Sequence, residues 1–450
     1  MKDLTKGRPS ILILGFALPI FLTNLLQLTY SIVDTRIVGS YLGESTLAAV
    51  GATTTLSNLM IQFLMGVSNG FAIITAQKFG AKDYDGVRKS FAMSLKLGCT
   101  IALAITIVCL VFLRQILVFL NVSDTLMETA MSYIFVIIAG LLATFLYDAC
   151  AAALRALGDT LTPLIILLVS VCLNIVGDIF LVVVVKMGVR GAALATVLAQ
   201  AIAFVICWIY MVKKYEVLRV KGKDFIGDKS DADRQMLKNM LSAGMSMGFM
   251  SSLINIGSLT LQTAINKLGQ DIIVAHTAAR KISEIFMIMF TVFGQTMATY
   301  CGQNIGAGEV KRVKQGIRLA ILYTCIWCTM VLIASYTIGP WLVYLVTGTH
   351  NEVVITNATN YIKFDTIFYF VTAVICIVRN AMQGLGEQIT PLVSSSLEMI
   401  GKIVIAFTLV PLLGYTGVIV AEPLVWFIMV IPLLVKIYTM PVLRKQGHGI

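Results

Sequence analysis

Four oxygen-bearing side chains in otherwise apolar stretches carry the most chemical information in this sequence. They are Asp34 in "IVDTRIVG", Asn174 and Asp178 in "LNIVGD", and Thr196 in "GAALATVLAQ". Asn174 and Asp178 are four residues apart, which puts them on one face of a helix. The chain turns near Gly188, and Thr196 lies about as far after that turn as Asp178 lies before it, giving both a depth of roughly 12–15 Å at about 1.5 Å per residue. Asp34, several residues before the end of its own stretch, reaches a comparable depth. Two carboxylates, an amide and a hydroxyl at one level are suitable ligands for a small cation such as Na+, or a place where crowding and burial make a carboxyl take up a proton. The competing reading is structural, with Asp34 paired to Arg36 and Asp178 to Lys186.

The elements that hold these residues belong in a bilayer. The chain has 450 residues, 58% hydrophobic and only 13% charged, against about 25% charged for a soluble domain. About twelve stretches reach the roughly 20 residues needed to cross a hydrocarbon core of about 30 Å. The first follows Lys2, Lys6 and Arg8 but is too long for a signal peptide and has no small-residue cleavage site after it, so it reads as a retained span. About 22 of the Lys and Arg residues fall on one side of the resulting topology and about six on the other, which places both termini in the cytoplasm of a multi-pass protein of the cell's inner (plasma) membrane. The net charge of +11 then reflects this bias and attraction to anionic membrane lipids, not a nucleic-acid surface. Nine Cys without a C-x-x-C pair and three dispersed His (His276, His350, His448) offer no metal cluster, and no phosphate-cradling Gly-rich loop is present. The expectation is a protein that is not an enzyme and has no cofactor, driven by an ion gradient of H+ or Na+.

Several landmarks occur twice. "ITAQKFGAKD" from Ile74 returns in "TYCGQNIGAGE" from Thr299, "ALRALGDTLTPL" from Ala153 returns as "AMQGLGEQITPL" from Ala381, and "GVRGAALA" from Gly188 returns as "GYTGVIVA" from Gly414. The displacements, 226 to 228 residues in the same order, mark a tandem duplication. Each copy holds about six spans, and an even number gives parallel repeats about an axis along the membrane normal. The expected fold is all-α and polytopic: twelve transmembrane helices in two six-helix lobes related by pseudo-two-fold symmetry, with an N-lobe at 1–212, a cytoplasmic linker at 213–239 and a C-lobe at 240–450. Gly80, Gly306, Gly158 and Gly386 read as left-handed helix stops. Thr162-Pro163 and Thr390-Pro391 read as an N-cap followed by Pro at the first helical position. Gln77 and Gln303, near inner helix ends, are amides placed to tie the two lobes together.

These landmarks taken together, the Ala/Gly-Gln-x-x-Gly-Ala signature after spans two and eight, "RALGD" after span four and "NIVGD" in span five, resemble the multidrug and toxic compound extrusion (MATE) transporters over nearly the whole chain. The resemblance implies two helical bundles around a central cleft that exchange cationic or amphiphilic substrates for protons or sodium, in a protein working as a monomer. It also implies that Asp34, Asn174, Asp178 and Thr196 match the first-lobe cation site.

The second copy lacks that constellation: Asp34 maps to Thr260, Asn174 to Lys402 and Asp178 to Ala406. Its own charges, Arg280 with Glu284 and Glu398 with Lys402, are spaced as neutralising i,i+4 pairs. Asp148 in span four shares a helix face with Arg155 seven residues on, either as an ion pair or as a group attracting a cationic substrate. Pro19 in span one removes a backbone hydrogen bond and marks a place to bend. The expected mechanism is alternating access, in which ion binding at Asp34 and Asp178 changes the packing of span one. The alternatives are a lipid-linked oligosaccharide flippase of the same superfamily, which calls for a strongly cationic cleft, and an ion channel or membrane-bound enzyme, for which neither a repeated filter sequence nor a His, Cys and acid cluster is present.

Overall fold

The computed structural model of the chain describes residues 3–226 and 230–444. Lys2, His448 and residues 227–229 of the expected linker lie outside the described residues. Within them the regular structure is helical, with no strand. The described residues within Met1–Asp3 and Leu18–Gly248 form one compact unit, and those within Leu4–Ala17 and Phe249–Ile450 form another.

The first unit is built from the greater part of α1 (Pro9–Leu42), then α2 (Glu44–Gly80), α3 (Tyr84–Val111), α4 (Leu113–Phe119), α5 (Asp124–Ala139), α6 (Leu141–Ala156), α7 (Leu161–Asp178), α8 (Val189–Lys214), the short α9 (Gly222–Ile226) and the start of α10 (Asp231–Ile265). The second contains the rest of α10, then α11 (Gln270–Gly306), α12 (Val310–Thr347), α13 (Glu352–Ile367), α14 (Tyr369–Gly384), α15 (Ile389–Phe407), α16 (Leu409–Leu413), α17 (Tyr415–Thr439) and α18 (Pro441–Arg444). Nine of these helices are long and apolar enough to cross a membrane, and α5 with α6 and α13 with α14 form two further spans bent by 42° and 55°. The 35-residue α10 brings the long helical segments among the described residues to twelve. The expected lobes at 1–212 and 240–450 therefore exchange segments: the start of α1 groups with the second unit and the start of α10 with the first.

Small residues explain the second exchange. Gly66 and Gly70 on α2 meet Gly244 and Gly248 on α10, a four-residue spacing on both helices that lets backbones touch. A Cβ on Gly70 would stand 2.4 Å from the Ala243 carbonyl oxygen, and one on Gly66 would stand 2.7 Å from that of Met247. Val67, Phe71, Ile74, Met236 and Met240 close over this crossing. Gly70→Val is expected to lower stability by about 1–3 kcal/mol, because the obstruction is backbone that cannot rotate away. Thermal unfolding in detergent checks this, with the exposed Gly51, which has nothing within 4 Å, as the control position.

The first exchange is held by the signature glutamine. The Leu4 amide donates to Gln303 Oε1 at 3.0 Å, Asn304 Nδ2 donates to the Leu4 carbonyl at 3.3 Å, and Arg312 donates to the carbonyls of Leu4 at 3.2 Å and Gly7 at 3.0 Å. Gln303 thus anchors the backbone that leads into α1, all within the second unit. Gln77 occupies the matching place one turn before the end of α2.

Two helix-end expectations are corrected. Gly80 and Gly306 end their helices without left-handed backbone, which falls instead on Lys82 (φ 59°) and Gly308 (φ 75°), whereas Gly158 (φ 83°) and Gly386 (φ 91°) do adopt it. Thr162 and Thr390 are not the caps. Asp159 accepts from the Thr162 amide at 3.0 Å and its hydroxyl at 2.7 Å, and Glu387 accepts from the same two groups of Thr390 at 3.1 and 3.2 Å. A carboxylate attracts the free amides and dipole of a helix start more strongly than a hydroxyl does.

Partial burial works against ionisation of Asp159, but hydrogen bonds from Tyr215 and Thr162 and the nearby Lys214 outweigh it and hold the carboxyl below its usual range. A lowered value stabilises the fold fully above the ordinary Asp value of about 3.9 and loses that contribution as pH falls through the folded one. Asp159→Ala is expected to cost about 0.5–2 kcal/mol at pH 7. The gap between wild type and variant in thermal unfolding should narrow only below about pH 4.

Candidate functional site

In the first unit, α1, α7 and α8 bring the four sequence-selected oxygens together. Gly177 on α7 faces Ala195 on α8 with only 3.2 Å between an added Cβ and the alanine methyl. That close approach lets Asn174 reach across to Thr196. The Asn174 amide is satisfied when its nitrogen donates to Asp178 Oδ2 at 3.0 Å and to Tyr30 Oη at 3.2 Å, while its oxygen accepts from the Thr196 amide at 3.0 Å and hydroxyl at 3.1 Å. Asp34 brings its carboxyl within hydrogen-bonding reach of Asp178. Asp178 is fully buried, and its Oδ1 has no hydrogen bond. Two acceptor-only groups in contact call for a proton between them or a cation beside them.

The surroundings favour exchange at this place. α7 passes directly into π-helical turns at Ile179–Val184, a departure from regular helix that is frequent at functional sites. Val38, Val182 and Ala192 form a small buried apolar cluster. Each lies four residues from Asp34, Asp178 or Thr196, so it covers the polar group one turn away on the same helix face. Tyr30 sits four residues before Asp34 on that face as well, and Tyr133 of α5 lies near both carboxyls. The aromatic pair was not singled out from the sequence; the i−4 spacing of Tyr30 from Asp34 was the available signal. No ion pair joins Asp34 to Arg36 or Asp178 to Lys186 among the described residues.

Pro19 lies inside a helix that stays continuous from Pro9 to Leu42. The grouping of α1 changes between Ala17 and Leu18, immediately before it. Asp148 is half-buried on α6 and makes no ion pair among the described residues, and the expected bond to Arg155 is not made: Arg155 Nη2 donates instead to Asn69 Oδ1 on α2 at 3.2 Å. Seven residues span about 10.5 Å along a helix, and Asn69 is the nearer partner.

The second unit corrects another pairing. Arg280 does not bond to Glu284, which is exposed; its Nη1 lies 3.3 Å from Glu422 Oε1 on α17. Lys402 Nζ lies 3.0 Å from Glu398 Oε1 and 3.3 Å from Glu422 Oε1, and Arg379 Nη1 is 3.9 Å from Glu398 Oε2. Asp365 is buried in the same neighbourhood, near Tyr369, Arg280 and Lys402. Physics selects this wiring: an exposed i,i+4 pair is worth about 0.3–0.5 kcal/mol, whereas a buried carboxylate left without a base costs several kcal/mol. Glu422, Arg379 and Asp365 escaped the sequence reading, although each interrupts an apolar run.

A duplicated helical membrane protein with ionisable groups converging among its spans belongs to the class of secondary transporters. The comparisons make the class specific. The MatE family model matches residues 19–180 and again 247–408, and the chain belongs to that family. The second match begins 228 residues after the first, the displacement of the internal repeat. Among its relatives, the chain is 25% identical over 395 residues to "Probable multidrug resistance protein YpnP" of Bacillus subtilis (strain 168), covering 87% of this chain and 86% of that protein. It is 23% identical over 408 residues to "Multidrug export protein MepA" of Staphylococcus aureus (strain MRSA252), covering 90% and 88%. A solved outward-facing multidrug resistance MATE family transporter of the MOP superfamily shares the fold with a TM-score of 0.89 at 21% identity, over 98% of both chains.

Proposed function

We propose that this protein is a secondary active multidrug efflux transporter of the plasma membrane, with both termini cytoplasmic. It exchanges cationic or amphiphilic small molecules for H+ or Na+ by alternating access and works as a monomer. The observation that carries the reading is the contact between Asp34 and Asp178, with Asn174 and Thr196 completing the oxygen set. No cofactor takes part in this mechanism.

A proton or Na+ arriving at the two carboxyls removes their mutual repulsion and draws α1 against α7 and α8. Pro19 provides no amide to the carbonyl four residues earlier, so α1 bends there at low cost. The change in α1 reshapes the space that α1 borders in the first unit and expels substrate. Asp148, half-buried and without an ion pair among the described residues, is the group that attracts a cation before release. A potential of 100 mV supplies about 2.3 kcal/mol per charge moved, enough for roughly fifty-fold accumulation per net charge.

The test is uptake of a fluorescent cation into everted vesicles or liposomes holding the purified protein, under an imposed pH or Na+ gradient. Accumulation that appears with one gradient and vanishes when it is dissipated is expected. Equal uptake with and without either gradient would overturn the exchange reading.

A further inference from the structure

The two units use corresponding helices for their buried polar clusters but fill them differently. In the first unit the oxygens come from α1, α7 and α8. In the second, Lys402 Nζ is surrounded by Ser258 Oγ of α10 at 3.2 Å, Glu398 Oε1 of α15 at 3.0 Å and Glu422 Oε1 of α17 at 3.3 Å. α10, α15 and α17 are the repeat counterparts of α1, α7 and α8. The correspondence extends to residues: the displacement of 228 that carries Ala153 onto Ala381 carries Asn174 onto Lys402, and the displacement of 226 that carries Gly188 onto Gly414 carries Thr196 onto Glu422.

We propose that Lys402 is a built-in cation. Its ammonium occupies the second-unit equivalent of the coupling site, so this unit exchanges no ion, and removing the side chain exposes a binding site for small monovalent cations and primary ammonium ions. Three features carry this. The Lys402 side chain is 3% exposed, so its charge is held away from water. Its three neighbours are two carboxylates and a hydroxyl, the hard oxygen donors that an alkali cation takes. The charges also balance only with the lysine present: Arg280, Arg379 and Lys402 face Asp365, Glu398 and Glu422. Without Lys402 the cluster is one positive charge short, and the vacated space is that of a butylammonium chain. This goes beyond the transport proposal, because a tethered counter-ion can be tested whether or not the protein transports.

The experiment uses purified full-length protein with Asp178→Asn as background, which silences cation responses of the first unit. Thermal unfolding is followed against NaCl, KCl or ethylammonium chloride, with choline chloride holding ionic strength constant. Asp178→Asn alone is expected to show no saturable response. Asp178→Asn with Lys402→Ala is expected to lose about 6–20 °C in Tm and to recover at least half of it, saturably, with ethylammonium or Na+ but not choline. A loss without saturable recovery overturns the proposal. So does a saturable response in the Lys402-containing protein that Glu398→Gln removes, since the second site would then exchange ions already. Should Lys402→Ala fail to fold, Lys402→Met with Glu398→Gln removes one charge of each sign while preserving volume. Its folding without any added cation is expected, and its collapse would show that the lysine acts as a packing anchor and sink the proposal.

Discussion

Asp178→Asn is expected to abolish ion-driven release while leaving the protein folded. The carboxylate now presents two acceptors, one bonded to Asn174 and one unbonded, with the Asp34 carboxyl beside it. An amide keeps the acceptor that Asn174 uses and adds an N–H donor toward Asp34, satisfying that group without any arriving ion. The variant therefore rests permanently in the arrangement that ion binding creates in the wild type. Substrate release triggered by acid or Na+ from reconstituted liposomes should fall at least about tenfold, which corresponds to about 1.4 kcal/mol of lost linkage. Substrate affinity without a gradient should match that of the ion-loaded wild type and no longer change when ion is added. Normal triggered release from the variant would remove Asp178 from the coupling role.

Glu422→Gln is expected to be among the most destabilising single substitutions in the second unit, and Glu284→Gln among the mildest. Glu422 is 5% exposed and shared by Arg280 and Lys402, so neutralising it takes away the carboxylate that Arg280 faces and leaves the buried Lys402 with Glu398 alone. Breaking a buried pair in this way costs about 3–5 kcal/mol. At about 2–4 °C per kcal/mol for a unit of about 200 residues, the Tm falls by roughly 6–20 °C. Glu284 faces outward without such a partner, and its replacement should stay within about 0.5 kcal/mol. Both are read by thermal unfolding of purified protein; similar losses for the two would show that Arg280 does depend on its helix neighbour.

The contrast between these two glutamates marks the limit of local spacing. Sequence separation selects residues on one helix face, which was sufficient for Asn174 and Asp178 because α7 is a regular helix up to Asp178. It equally selected Glu398 with Lys402, which do pair, and Arg280 with Glu284 and Asp148 with Arg155, which do not: Arg280 finds Glu422 and Arg155 finds Asn69 on other helices. Burial of charge is energetically dearer than an exposed i,i+4 contact, so a buried charged side chain follows whichever helix offers it a charged or hydrogen-bonding partner.

The membrane class, the duplication, the near-complete set of spans and the depth of the oxygen-bearing residues were written in the sequence. They depend on composition, periodicity and rise per residue, all local quantities. Only the tertiary structure decided that the first turns of α1 group with the second unit and the first turns of α10 with the first. It also revealed that Tyr30 joins the coupling cluster and that Lys402 sits among Glu398, Glu422 and Ser258. Those outcomes turn on close backbone approach at glycines and on the neutralisation of charge in a medium without water, and both are properties of helices already assembled.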